Sequence, residues 1–271
     1  MLYKFKNLIF SPVITIKKIF YKIQSLYFIF FYNEARYEKE QSELFSKLNL
    51  SRIKGLEILD KERKQNKIFN NHMSSEHKTL LASISNSKKN VQKILEIGTH
   101  DAENAYFLSK IFPDAKITTV DLDDDDDYFK NSYNRESFEK RKEFCKNRDK
   151  ILESSINIDF KKMNSINLCY MFDKYDLIWV DGAHGYPHVT IDIANSIRLL
   201  KDDGLLLCDD VWTTKPLVQD SMYNSLASFE TLVAFQNCKM IEFDKIYKRI
   251  DKFNNANKNF RKFIAVVKKL S

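Results

Sequence analysis

Residues 93–105 read KILEIGTHDAENA, and this run decides the fold. A short apolar stretch, Lys93 to Ile97, stops at Gly98, and helical spacing resumes from Glu103 to Ile111. An apolar strand followed by a helix points to a parallel sheet covered on both faces. The same rhythm continues downstream, with strands expected at Lys116 to Asp121, Ile156 to Phe160, Tyr175 to Asp181 and Gly204 to Asp209. A helix is expected from Val189 to Leu200. Near the end, Ile241 to Arg249 and Arg261 to Lys268 alternate as a hairpin of two longer strands. Four of the five glycines (Gly98, Gly182, Gly185, Gly204) fall beside these strand ends, where the chain must turn or a ligand must come close.

In a doubly wound sheet the ligand crevice lies at the carboxyl ends of the strands. Glu96 and Gly98 stand at that end of the first strand, and the helix that follows offers its first amides to a carboxylate. Asp121 closes the next strand, placed to accept hydrogen bonds from both ribose hydroxyls of an adenosine. The loop lacks the second and third glycines of GxGxxG, which disfavours a dinucleotide. An ordinary βαβ turn, with Asp121 capping a helix, stays open as the plainer reading.

Outward from this core, residues 34–90 are polar and lysine-rich, with helical stretches at Glu34 to Leu48 and His77 to Ile84. Asn70, Asn71, Ser74 and Ser75 read as breaks, and Ser75 as a cap for the helix after it. The chain therefore divides into a basic helical extension, 1–90, and an α/β domain, 91–271. Before Glu34 there are five lysines (Lys4, Lys6, Lys17, Lys18, Lys22) and no acid. Ile16, Ile19, Phe20, Ile23, Leu26, Tyr27 and Phe30 form one apolar stripe at helical spacing. Lysines interrupt it too often for a span of about 20 residues, and no small-residue cleavage site follows it. Two readings stay open: residues 1–32 lie on a membrane surface, or the helix packs on the rest of the chain or on a second subunit.

Composition sets wider bounds. With 44% hydrophobic and 30% charged residues the chain can build a core. Lysine and arginine outnumber acids by 44 to 37, a net charge of +7 that a lysine-rich surface explains. No arginine-rich stretch interleaved with aromatics marks a nucleic-acid groove, so no nucleic-acid partner is expected. The four cysteines (Cys145, Cys169, Cys208, Cys238) are scattered, with no zinc spacing, which fits a reduced, cytoplasmic protein.

The order of EIGTHDA, TTVDLD, DLIWVDGAHGYPHV and LLKDDGLLLCDDV resembles class I S-adenosylmethionine-dependent methyltransferases. Its DGxHxY element is similar to the branch that includes sugar and antibiotic O-methyltransferases. The resemblance covers Lys93 to the C-terminus and implies a Rossmann-like α/β sheet of seven strands, a bound S-adenosylmethionine and methyl transfer to a hydroxyl of a sugar or other small molecule. On this resemblance Glu96 and Gly98 frame the methionine part, Asp121 holds the ribose, and Asn164 or Ser165 lies near the adenine. Ala102 departs from it, standing where the family loop often has glycine.

Asp181 ends one expected strand, and Asp209 with Asp210 ends the next. Neighbouring strands lie about 4.8 Å apart, so three carboxylates would converge at one rim, and convergent acids repel unless a cation or proton separates them. Hard oxygen ligands suit magnesium, calcium or manganese, with Mg2+ the expected ion, and the layout is similar to catechol-type O-methyltransferases, whose last metal ligand is an asparagine where this chain has Asp210. A DG turn at Asp181 and a helix cap at Asp210 are the alternative. His184, in DGAHGYPH, is the candidate general base. His188 reads as structural, and His100 is left without a role. The run Asp123 to Asp127 lacks the ligand spacing of a calcium loop and reads as a solvated acidic loop. Tyr186 and Trp212 flank the crevice. Two other functions compete: a nicotinamide-dependent oxidoreductase, and a non-catalytic, membrane-tethered adaptor. Acceptor identity and homo-oligomer formation are not legible.

Overall fold

The computed structural model describes residues 12–66, 68–69, 75–88, 90–133, 135–215, 225–258 and 261–270. Lys4, Lys6 and the breaks placed at Asn70, Asn71 and Ser74 lie outside the described residues. Four helices come first: α1 (Pro12–Phe30), α2 (Glu34–Lys47), α3 (Arg52–Gln65) and α4 (His77–Ser87). Then follow β1 (Lys93–Ile97), α5 (Glu103–Ile111), β2 (Lys116–Asp121), α6 (Asp127–Asn131), α7 (Phe138–Glu153), β3 (Ile158–Lys162), a 3₁₀ turn (Ser165–Tyr170) and β4 (Tyr175–Val180). The chain ends with α8 (His188–Leu199), β5 (Leu200–Trp212), α9 (Ala227–Asn237), β6 (Ile241–Tyr247), α10 (Lys252–Asn255) and β7 (Lys262–Lys269).

One seven-stranded sheet runs in the order β3-β2-β1-β4-β5-β7-β6. The first five strands are parallel, and β7 inserts antiparallel between β5 and β6. The expected Rossmann-like sheet with a closing hairpin is therefore present. Parallel strands buried on both faces explain its apolar runs. Ile94, Ile117, Leu177, Trp179 and Leu207 point to one face, while Leu95, Val120, Ile178, Leu206 and Cys208 point to the other.

Two strands differ from the expectation. β3 lies two residues later than Ile156 to Phe160, because it is an edge strand whose residues are all only partly buried or exposed, and Ile156 stands fully in solvent. β5 is longer at both ends: Leu200 already pairs with Tyr175 of β4 at its start, and β7 partners Val211 and Trp212 beyond Asp209. The expected cap at Ser75 is also different: Glu76 precedes α4 without a side-chain cap bond, and Ser75 Oγ lies 2.7 Å from His77 Nδ1.

The helices before Val91 share the core of the sheet. Phe45, Leu59, Leu80, Leu81 and Ile84 join the cluster of Ile94, Ile117 and Trp179. Each such side chain contributes about 1.5–3 kcal/mol relative to exposure. Helices α3 and α4 touch at Gly55, where a Cβ would lie 2.2 Å from Ser83 Oγ. A polar network then ties this layer to the outer strand. Arg52 pairs with Glu38 and Glu76, and Gln41 lies 3.4 Å from Glu76 Oε2. The Gln41 side chain accepts from Tyr247 N at 3.0 Å and donates to Tyr247 O at 2.9 Å, while Glu76 N donates to Lys248 O at 2.8 Å.

Helix α1 is turned the opposite way. Tyr21, Gln24, Ser25 and Phe28 are half-buried, and Ile16, Ile19, Phe20, Ile23, Leu26, Tyr27 and Phe30 are each more than half exposed. The apolar stripe thus does not pack on the other described residues. Among the described residues no helix is long and apolar enough to cross a membrane.

Candidate active site

At the carboxyl ends of β1, β2 and β4 opens a cavity of about 550 Å³, a size suited to a small ligand or cofactor. Gly98, Asp121, Asn164, Ser165 and Asp181 all line it. The β1 loop is unusual backbone: Gly98, His100 and Ala102 have φ of +101°, +48° and +65°. A Cβ on Gly98 would meet the carbonyl oxygen of Asp181 at 2.4 Å. The residue is therefore required by the approach of the β4 end as well as by its own φ. Asp121 fixes the loop from the other side, accepting from His100 N and Leu122 N, each at 2.8 Å. Both oxygens keep a lone pair for further donors. Ala102 is fully buried in the left-handed region at the start of α5, a conformation costing about 1–2 kcal/mol for a residue with a Cβ.

Glu96 does not reach this cavity. It is fully buried, taking hydrogen bonds from Asn104 Nδ2 at 2.8 Å and Thr119 Oγ1 at 2.5 Å. Burial pushes its carboxyl up to about 7, against the pull of those two bonds. Its place is behind the loop, joining the first turn of α5 to β2, rather than around a ligand.

Asn164 caps the 3₁₀ turn through Ile166 N at 3.0 Å, and its neighbour Ser165 also faces the cavity. Several wall residues were not found from the sequence. Tyr128, Phe129 and Tyr133 follow the acidic loop and close one side, with His100 packed 4.7 Å from Tyr133 and His188 5.9 Å from Tyr128. Three aromatics just beyond the acidic loop that follows an expected strand end were the available signal. Asp192 was missed too. It is 2% exposed, lines the cavity, has no hydrogen-bond partner on Oδ1, and burial raises its carboxyl to about 6. The acidic run itself is structural: Asp124 pairs with Arg148 at 2.7 Å and with Lys162 at 2.5 Å, and Asp126 caps α6.

The three rim acids do converge, through a bulge in β5. Cys208 opposes Ala265 and Val211 opposes Phe263, so Asp209 and Asp210 share one partner position. Asp210 takes φ +52° there, a sparsely populated conformation that costs about 1–3 kcal/mol and re-aims the side chain. Lys248 Nζ lies 2.7 Å from Asp209 Oδ2 and also bonds Asp210 Oδ1, while Lys262 Nζ is 2.6 Å from Asp210 Oδ2. Burial pulls the Lys248 ammonium down, but Asp209 and Asp210 outweigh it and hold it above its ordinary range. Burial and the charge of Asp209 push the Asp181 carboxyl well up.

His184 Nε2 sits 3.6 Å from Asp181 Oδ1 and 3.7 Å from Asp210 Oδ2. Burial lowers its imidazole against the attraction of Asp210 and Asp209. Its side chain is 7% exposed and that of Asp181 38%, so Asp181 meets the cavity and His184 stands behind it. Trp212 joins Lys248, Arg249 and Lys262 around a second cavity of about 370 Å³, whereas Tyr186 projects into solvent.

The Mg2+ expected at Asp181, Asp209 and Asp210 does not fit this arrangement. Lysine nitrogens already hold Asp209 Oδ2 and both oxygens of Asp210, which leaves Asp209 Oδ1 as the one oxygen of this pair without a partner among the described residues. Among the described residues no group of three or more His, Cys, Asp and Glu side chains is disposed to hold a metal.

Residues 95–211 match a family model described as a methyltransferase domain. Over that stretch the chain is similar to a methyltransferase domain. It thereby meets the expectation of an enzyme, and the match favours neither the oxidoreductase nor the adaptor. No curated protein matches it in sequence. Its fold is similar to cofactor-bound Rv0187 from MTB, at 13% identity and TM-score 0.52 over 79% of this chain and 88% of that one. It is also similar to a putative rRNA-methylase from Clostridium thermocellum, at 12% identity and TM-score 0.51 over 73% of this chain and 98% of that one. A putative O-methyltransferase from Klebsiella pneumoniae aligns at 12% identity and TM-score 0.50, over 86% and 89%. At these identities the likeness shows the fold alone, and the reaction and its acceptor have to be argued from the site.

Proposed function

We propose that this methyltransferase uses S-adenosylmethionine to methylate a hydroxyl of a sugar or another small molecule, without a divalent metal. One observation carries the reading: a single cavity gathers Gly98, Asp121, Asn164 and Ser165, and ends at the half-open carboxyl of Asp181. Asp121 offers its remaining lone pairs to a ribose, and Asn164 and Ser165 lie at the position for an adenine.

S-adenosylmethionine, when bound, supplies a methyl group already activated on a sulfonium. A neutral hydroxyl is a poor nucleophile, so the chain's part is to place it and remove its proton. Asp181 faces the cavity and takes that proton as the hydroxyl oxygen bonds the methyl carbon and the carbon–sulfur bond breaks. His184 stands behind it, with Nε2 3.6 Å from Asp181 Oδ1, and backs the carboxyl by packing. This gives the base role to Asp181 and a positioning role to His184. The DGAHGY element supports a sugar acceptor, as does the Trp212 ring at the second cavity, an apolar face of the kind that stacks on a sugar ring.

Calorimetry with S-adenosylmethionine tests the proposal. The wild-type chain should bind it saturably, and Asp121→Ala should weaken binding at least about 100-fold, the loss of two hydrogen bonds to a charged group. Absence of binding to the folded wild type overturns the reading.

A further inference from the structure

We propose that Lys248 is a built-in cation standing where a divalent metal would otherwise bind, and that its ammonium holds the acceptor oxygen during transfer. This rests on the methyl-transfer reading above. Lys248 and Lys262 together bring two positive charges to Asp209 and Asp210, the same charge that one divalent ion would bring.

The lysine is placed as firmly as a ligand. Its side chain is 10% exposed, and its backbone is bonded on both sides: Lys248 N donates to Lys262 O at 3.0 Å and Lys248 O accepts from Glu76 N at 2.8 Å. The residue before it, Tyr247, is fixed at N and O by the Gln41 amide. An ammonium has three N–H donors. Two go to Asp209 and Asp210, and among the described residues the third has no hydrogen-bond partner. Lys248 also lines the second cavity beside Trp212. A donor at that position would bind the acceptor hydroxyl oxygen and stabilise the negative charge that grows on it as Asp181 removes the proton. Bulge geometry fits the same purpose, since Asp210 is held at φ +52° to present its carboxylate to two lysines.

The test reads metal binding separately from turnover. Wild-type protein titrated with Mn2+ and followed by the spin-resonance signal of the free ion should show no saturable binding, and turnover should survive a chelator. Saturable Mn2+ binding at this site, or turnover abolished by the chelator and restored by metal, overturns the proposal. Lys248→Ala should lower turnover by about 10²–10³-fold with S-adenosylmethionine affinity unchanged, and should gain Mn2+ binding at the exposed acids. Unchanged turnover in a folded variant also overturns it. If that variant does not fold, the wild-type Mn2+ titration decides alone. Failure of wild-type S-adenosylmethionine binding is a separate result and strikes the methyl-transfer reading instead.

Helix α1 supports a second, independent inference: we infer that its outward face lies on an anionic lipid surface. Seven apolar side chains of one stripe face solvent, and Phe31 next to them is 65% exposed. The polar Gln24 and Ser25 turn inward, with Asn257 Nδ2 donating to Ser25 Oγ at 3.2 Å. Exposed Lys17 and Lys22 border the stripe, and the sequence has no acid before Glu34. Lysines beside a half-immersed apolar stripe complement anionic headgroups, whereas a second copy would bring like charges together.

Co-sedimentation should show binding to vesicles containing phosphatidylglycerol, weaker binding to pure phosphatidylcholine, and loss of both in the Ile23→Glu/Phe30→Glu variant. No binding of the wild type to anionic vesicles overturns the inference. So does a stable dimer by sedimentation velocity that the same variant converts to monomer.

Discussion

Replacing Glu96 by glutamine should make the protein more stable at alkaline pH and remove one source of its pH dependence. The carboxyl is fully buried, and its affinity for a proton rises from an ordinary 4.5 to about 7 in the folded state. Between those values the folded chain binds the proton and the unfolded chain does not. Folding is therefore favoured most below pH 4.5, loses stability as pH rises through about 7, and levels off above. Each tenfold change in proton affinity is about 1.36 kcal/mol, so the wild type loses about 3 kcal/mol across the window from this group. Glutamine has nearly the same shape and carries no charge. Its oxygen can accept from Asn104, its amide can donate to Thr119, and Thr119 can then turn its hydroxyl toward Thr99, 2.6 Å away. Urea denaturation of both proteins at pH 5 and pH 8 measures the effect. The variant should gain about 2–3 kcal/mol on the wild type between the two conditions. An identical difference at both pH values would refute the claim that burial governs this carboxyl.

Gly98→Ala should cost more than about 3 kcal/mol, because φ +101° and a backbone oxygen 2.4 Å from the new Cβ act together; thermal melts report it, and a variant within about 1 kcal/mol of wild type contradicts the geometry. Asp192→Ala should weaken S-adenosylmethionine binding by about tenfold, the worth of one buried hydrogen bond from Oδ1 to a ligand donor. Its melting temperature should not fall, since the removed carboxyl is one that burial disfavours; equal affinity in the variant means that Asp192 points at nothing in the complex.

Much of the sheet was legible because parallel strands are buried on both faces, so LEI, TTV, LIWV and LLLC read as apolar runs whatever their neighbours. Elements at the surface were harder. Helix α7 buries only Arg148 and Leu152, and α3 only Arg52, Gly55 and Leu59, so neither shows a clear apolar stripe. The arrival of Glu96 and Asp121 at strand ends was readable, yet Glu96 points into the core, and strand position alone does not say which face a terminal side chain takes. The lysines were missed for a different reason. Convergent acids demanded positive charge, and lysine usually lies at the surface. Lys248 and Lys262 nevertheless sit at the facing ends of the two hairpin strands, one just after β6 and one opening β7, and that symmetry marked them.

The amide of Gln41 imitates a neighbouring strand, filling both backbone groups of Tyr247 at the outermost rung of the sheet. Open rungs of this kind invite strands from other molecules. A fragment beginning at Val91 would lose that plug, along with the β-bridge from Ser75 to Arg249, and would present a bare sheet margin as well as an uncovered apolar face. The early helices thus act as a guard against self-association of the sheet, in addition to filling its core.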